Sequence, residues 1–442
     1  RDWSSDVCSS DLLSGTAQSR LYVSPCPKIY RCITRYKKGW FSTMKFDFES
    51  IIDRTGKDSS AANVIPIPGA TVKEGFSKIP MWVADMNFAT APTIPEAMIK
   101  RAEHPLYGYF PISDEYYDAI IKWHADRHHA TVTKEAIGYE NGVLGGVATA
   151  LQAFTAPGEP ILIHSPTYIG FTGTITNNGR KIVHSELYRD EEGVWRMDYE
   201  DMDKKIKENH IHVCIFCNPH NPCGRVWTRE EIEKAMEVYK NNNCIVISDE
   251  IWADLVMNGN VQTPTQEVSE DAKMRTIAMY APSKTFNLAG LVGSYHVIFN
   301  KYLRERMDKV ASLSHYNSIN VMSMHALVGA YSETGREWVD ELLEVLSSNV
   351  NYAYDYICKN FKGVKLAKPE GTYMLYLDCE EWCKEHNMSM DDLLKAGVAV
   401  GVIWQDGRPF NRPFAIRVNL AVPHSRVIDA MDRLDKYVFN AK

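Results

Sequence analysis

The chain has 442 residues, 45% hydrophobic and 24% charged, ordinary values for a folded protein of two or three domains. Its formal net charge of −7, with both signs interspersed, disfavours nucleic-acid binding as the main activity. No apolar run approaches the roughly 20 residues of a membrane-spanning helix, and the 10 cysteines are scattered, the pattern of reduced, packed thiols in a cytoplasmic protein.

Residues 1–43 lack hydrophobic periodicity and carry Asp2, Asp6 and Asp11, which is too acidic for a transit peptide. They read as a non-native or disordered leader, with Met44 as the natural start. Residues 44–84 hold a short helical piece and Pro/Gly-rich chain, and are expected to complete a smaller domain. An aromatic, turn-rich loop at residues 105–111 includes Tyr109. From residue 142 to about 297 strands and helices alternate. Strand patterns fall at 160–164, 181–186, 212–217, 244–248, 275–280 and 294–299, and a capping box at Thr228–Glu231 opens a helix. Such alternation predicts an α/β fold: a large, mostly parallel sheet with helices on both faces, over residues 85–325. Beyond it, long helices and strand patterns at 371–378 and 414–420 predict a smaller α/β domain over 326–442. The chain closes on an amphipathic helix carrying Val427, Met431, Leu434 and Val438.

Ligands of parallel sheets bind beyond the carboxyl ends of the strands, and distinctive residues fall there. Gly142, Gly145 and Gly146 open a helix whose backbone N–H groups suit an anion. Asn221 lies in the turn Asn218-Pro219-His220-Asn221-Pro222-Cys223-Gly224, straight after a strand. Asp249 ends a buried strand, a costly place for a carboxylate unless a cation answers it. Lys284, in Ala281-Pro282-Ser283-Lys284-Thr285, follows another strand, where burial lowers an amine's pKa and suits it to Schiff-base chemistry. Arg417 stands inside an apolar strand and wants a carboxylate. Cys214, Cys217 and Cys223 lack a second pair at zinc-site spacing, so no metal is expected. A phosphate cradle, an amide, an acid and a lysine on one edge are the needs of pyridoxal 5'-phosphate.

The order of these motifs resembles the aspartate-aminotransferase fold family of pyridoxal-phosphate enzymes. Residues 80–88, 218–227, 248–255 and 282–291 are most similar to its cystathionine β-lyase branch, the MalY/PatB-type C–S lyases. The resemblance, from about Met44 to the C-terminus, implies roles by position. Lys284 is the Schiff-base lysine and Asp249 the partner of the pyridine nitrogen. Asn221 contacts the phenolic oxygen, Tyr168 stacks on the ring, and Gly145, Gly146 and Ser283 contact the phosphate. Trp252 stands where many relatives carry a tyrosine, Val292 where many carry a phosphate-binding arginine, and Ala281 where a serine is common. Arg417, with Ala84, implies the substrate-binding side. Tyr109 matches a residue that reaches the neighbouring subunit's phosphate, implying a homodimer with shared active sites. The implied reaction is β-elimination from L-cystathionine or a related S-substituted cysteine. An aminotransferase of aromatic or aliphatic amino acids is the alternative, and a regulator that keeps the fold and binds a protein partner is a rival of another class.

Overall fold

The computed structural model describes residues 44–314 and 318–441; the expected leader, 1–43, lies outside the described residues. Residues 45–442 form one compact unit, and the fold described here is that of this unit.

Its large sheet has seven strands: β1 (Ile137–Glu140), β2 (Pro160–Ser165), β3 (Lys181–Glu186), β4 (Val213–Cys217), β5 (Ile245–Asp249), β6 (Thr276–Tyr280) and β7 (Ser294–Val297), in the order β1-β7-β6-β5-β4-β2-β3. Strands β2 to β6 pair in parallel, and β7 runs antiparallel to both β6 and β1. The sequence pattern predicts all of these but β1. Ile-Gly-Tyr-Glu has no strand pattern of its own and is recruited by its ladder to β7. Since β7 is reversed relative to both neighbours, β1 points the same way as β2–β6. The carboxyl ends of all these strands therefore meet at one edge.

Both faces of the sheet are covered, as alternation along the strands demands. Ile161, Ile163, Val213 and Ile215 pack against α1 (Val143–Phe154) and α2 (Ile169–Asn177) through Val147, Leu151, Phe171 and Ile175. The intervening Leu162, Cys214 and Phe216 meet α3 (Tyr199–Asn209) and α4 (Arg229–Asn241) through Met202, Ile206, Ile232, Met236 and Tyr239. Cys214 and Cys217 thus belong to opposite core layers. Among the described residues no group of three His, Cys, Asp or Glu side chains gathers as a metal site, and no helix is long and apolar enough to cross a membrane. The expected capping box is present: Thr228 accepts the Glu231 N–H while the Glu231 carboxylate accepts the Thr228 N–H.

A smaller antiparallel sheet is built from β8 (Met374–Asp378), β9 (Gln405–Asp406) and β10 (Ala415–Asn419), in the order β8-β10-β9. Helix α5 (Glu333–Asn360) buries the stripe Trp338, Val339, Leu342, Val345, Leu346 and Val350. At the C-terminus α6 (His424–Leu434) buries Val427, Met431 and Leu434. Ile79–Pro80 pairs in parallel with Val402–Ile403, so the chain preceding the large sheet joins this smaller layer. Met81 extends the pairing by donating to the Ile403 carbonyl at 2.8 Å.

Candidate active site

Past β6 the chain turns tightly, with the Phe286 N–H on the Pro282 carbonyl (2.9 Å) and the Leu288 N–H on the Ser283 carbonyl (3.0 Å). Lys284 projects from this turn. Its Nζ donates to the Ala84 carbonyl at 2.9 Å and lies 5.9 Å from the centre of the Trp252 ring. Burial, joined by the positive Arg417, lowers the amine to about 8, against the opposing pull of Asp85 and Asp249. Its neighbour Thr285 donates to Asp254 Oδ2 at 2.8 Å, while Asp254 Oδ1 accepts from Trp123 Nε1 (3.0 Å) and lies 3.1 Å from His128 Nε2. Burial alone would raise Asp254; the bond to His128 and the charges of His128 and Arg127 hold it at about 2. An ionised, buried carboxylate therefore anchors the lysine turn through Thr285.

Asp249 is the last residue of β5, buried, and accepts the Ile251 N–H at 3.0 Å. Burial raises its carboxyl to about 7, while that N–H and the charge of Lys284 draw it down. No ion pair satisfies it among the described residues. Tyr168 immediately precedes α2, without a side-chain capping bond, and packs edge-on against Phe171 at 5.4 Å. Burial pushes its phenol up, and the charges of both Arg417 and Asp249 reach it, so it faces the same space.

Arg417, centred on β10, is buried and lies over the Phe410 ring at 4.7 Å. Nη1 donates to Asn221 Oδ1 at 3.1 Å; Nη2 donates to the Trp82 carbonyl at 3.3 Å and to Gln405 Oε1. These acceptors are neutral, and Nε has no partner. Burial lowers the guanidinium to about 10, which leaves it charged at neutral pH. Asn221, expected to reach over the strand end, is thus also the brace of Arg417.

The helix-start glycines divide the work. Gly142, with φ +76°, precedes α1 in a conformation that favours glycine. A Cβ on Gly146 would stand 2.7 Å from Met279 Sδ and 3.0 Å from Glu140 Cγ, and its N–H already bonds the Gly142 carbonyl at 3.0 Å. Gly146 therefore serves the packing of α1 on the sheet rather than offering a free donor, a difference from the expected phosphate contact. Gly145 is open, with only Asn141 Cβ within 4 Å of such an atom, at 3.6 Å. Val292 Cγ1 would lie 3.7 Å from a Cβ on Gly142, so this valine does stand beside the helix start. Ser283 is part-buried next to Lys284. Tyr109 is not brought to the site: with Leu106 and Tyr107 it is exposed.

Sequence reasoning misses three participants. Arg54 grips Asp85 with both terminal nitrogens, Nη2 to Oδ2 at 2.6 Å and Nη1 to Oδ1 at 3.2 Å, and so pins the segment that carries Ala84. Gln405 holds Arg417 from the neighbouring strand. Tyr373 packs edge-on against Trp252 with 4.8 Å between centroids. Tyr373 lies within the strand pattern at 371–378, where nothing sets it apart from its neighbours.

The family model described as aminotransferase class I and II matches residues 78–434. The chain belongs to that family. Within it, the chain is similar to cystathionine β-lyase PatB of Bacillus subtilis (strain 168): 34% identical over 322 residues, covering 73% of this chain and 83% of PatB. Among solved structures it is similar to cystalysin from Treponema denticola, which contains pyridoxal 5'-phosphate, with a TM-score of 0.81 and 30% identity over 90% of this chain and 100% of that one. It is also similar to the PLP-bound C–S lyase from Staphylococcus hominis, with a TM-score of 0.80 and 28% identity over 89% of this chain and 98% of that one. In all three comparisons the family's fold extends over most of both chains.

Proposed function

We propose that this protein is a pyridoxal-5'-phosphate-dependent carbon–sulfur β-lyase that cleaves L-cystathionine or a related S-substituted cysteine. Similarity to PatB and to the Staphylococcus hominis C–S lyase supports the reaction class. The observation that carries the reading is the buried, acid-free Arg417 on the same side as a lysine held near neutrality.

The residues present fit the cofactor. Asp249 is a buried carboxylate that lacks a cation and would hold a pyridine nitrogen protonated. The open start of α1 at Gly145, with Ser283, would take the phosphate. Lys284 would hold the aldehyde carbon, Tyr168 and Trp252 would flank the ring, and Asn221 would face its phenolic oxygen. When bound, the cofactor acts as an electron sink for the substrate Cα.

The protein's own part follows from its geometry. Arg417 pairs with the substrate α-carboxylate and, braced by Asn221 and Gln405, fixes the direction of the Cα–H bond. With its amine free and neutral, Lys284 would act as the base that removes the Cα proton. Its amine needs little work to shed a proton near neutral pH, because burial and Arg417 already disfavour its charge. The Cβ–S bond then breaks and the thiolate leaves, taking up a proton. With one water, the remaining fragment yields pyruvate and ammonia, so no oxidant or acceptor is needed. The aromatic wall of Trp252 and Tyr373 suits a thioether.

We further propose a homodimer in which Tyr109, exposed in one chain, completes the partner's phosphate site, and a cytoplasmic location, which the free described cysteines suit. Incubation with L-cystathionine, without any keto acid, should release pyruvate and thiol in equal amounts. Turnover that begins only when a keto-acid acceptor is added, with no thiol released, would make the protein an aminotransferase.

A further inference from the structure

Tyr373 is fully buried, and its hydroxyl has no hydrogen-bond partner. A buried hydroxyl left unpaired is destabilising, so its retention calls for a ligand. The ring has little freedom to find a partner elsewhere in the protein. The Gly371 N–H donates to the Gly224 carbonyl at 3.0 Å, joining this segment to the turn that carries Asn221. The Thr372 N–H donates to the Leu255 carbonyl at 2.8 Å, joining it to the chain that follows Asp249. The Leu420 N–H donates to the Tyr373 carbonyl at 2.8 Å, joining it to the end of the strand of Arg417. Thr372 has φ +65°, a left-handed conformation that a β-branched residue rarely adopts. A Cβ on Gly371 would stand 2.8 Å from Val226 Cγ2 and 3.0 Å from the Leu255 carbonyl oxygen. Strain and close packing together aim one side chain, and it rests on Trp252, the ring that also underlies Lys284.

The chemistry of the missing ligand can be read from the surroundings. Burial, with Asp85 adding to it and Arg417 opposing, pushes the phenol far up, so Tyr373 is a neutral donor within reach of both charges. Arg417 Nε is likewise a buried donor without a partner. The Tyr373 hydroxyl and the idle Nε–H of a charged guanidinium suit an anion with two oxygens. We propose that Tyr373 is a substrate-binding residue whose hydroxyl donates to the α-carboxylate that Arg417 holds. This assignment rests on the reading of the site as one for amino acids and adds a second carboxylate anchor to it.

The test is Tyr373→Phe in the holoenzyme, which keeps the ring on Trp252 and removes only the donor. Calorimetric titration compares L-alanine, which has no leaving group on its β-carbon, with ethylamine, which lacks the carboxylate. Affinity for L-alanine should fall about ten-fold or more, roughly 1.4 kcal/mol per ten-fold, while affinity for ethylamine stays unchanged. In steady state the KM for L-cystathionine should rise with kcat nearly constant, the sign of an interaction equal in ground and transition states. Unchanged L-alanine affinity, or equal losses for both ligands, would overturn the assignment. Failure of the wild type to release thiol from L-cystathionine would sink the lyase reading, yet the alanine–ethylamine comparison would still decide Tyr373.

Discussion

Asp249 and Lys284 are each pushed by burial toward neutrality, and the pH dependence of stability follows from that. In the cofactor-free protein Asp249 titrates at about 7, against 3.8 ordinarily. Its folded pKa is raised, so the folded state loses stability at this site as pH climbs from about 4 through 7, where the unfolded chain ionises freely. A cation set against Asp249 removes that penalty. The rise in melting temperature caused by pyridoxal 5'-phosphate should therefore be larger at about pH 8 than at about pH 5.5. In Asp249→Asn this pH dependence should shrink and turnover should fall about a hundred-fold or more, as the electrostatic support of the protonated ring nitrogen is lost. Lys284 is present in both proteins, so their difference isolates the carboxyl. An equal pH dependence in variant and wild type would show that Asp249 does not face the cofactor's cation. Lys284, Asp249 and Asn221 were legible in the sequence because each follows an apolar strand directly, where local order places it at the binding edge. Arg417 was legible as a charge within an apolar strand. Tyr373, Arg54 and Gln405 were not, because their places at the site depend on contacts between segments that no local pattern links.

At the scale of elements, the turn from Asn218 to Trp227 and the helix after it are held by different devices that meet at Glu231. Its Oε2 accepts from the Thr228 N–H at 2.9 Å and from Arg225 Nη2 at 2.5 Å. The turn is closed by its own bonds, His220 N–H to the Arg225 carbonyl and Gly224 N–H to the His220 carbonyl, each 2.8 Å, and Glu370 N–H reaches the Gly224 carbonyl at 2.8 Å. A Cβ on Gly224, where φ is +68°, would stand 2.8 Å from Pro369 Cβ, so this contact with the smaller layer depends on glycine. Helix α4 relies instead on its capping box. Thr228→Ala should thus cost about 1 kcal/mol, read as an earlier urea midpoint, while kcat and KM stay at wild-type values. A large loss of turnover would mean that the helix start, rather than the turn's own bonds, positions Asn221. The helices and most strands were readable from periodicity, since each buries a face whose spacing repeats. Strand β1 was not, because what holds it is its pairing with β7, through ladder bonds and the buried Glu140–His296 contact at 2.7 Å, which no pattern in the segment itself shows.

For the whole molecule the proposed assembly turns on residues 106–109. Leu106, Tyr107 and Tyr109 are exposed on one loop, and single exposed apolar residues are common while a cluster of them marks an interaction surface. Sedimentation of the holoenzyme should show a dimer, and Tyr109→Ala should weaken cofactor retention without dissociating it. A fully active monomer would refute the shared site.

The sequence by itself determined the α/β class, the edge at which ligands bind and the main chemical groups there, because hydrophobic period and strand-end position are local properties. Only the tertiary structure decided that Gly146 packs while Gly145 stays open, that Asn221 and Gln405 brace Arg417, and that Tyr373, its ring on Trp252, keeps an unpartnered hydroxyl. Those outcomes come from close approach between segments far apart in the chain, such as Gly371 with Gly224 and Arg54 with Asp85. No local pattern encodes that approach: it appears only when the two sheets share one interface.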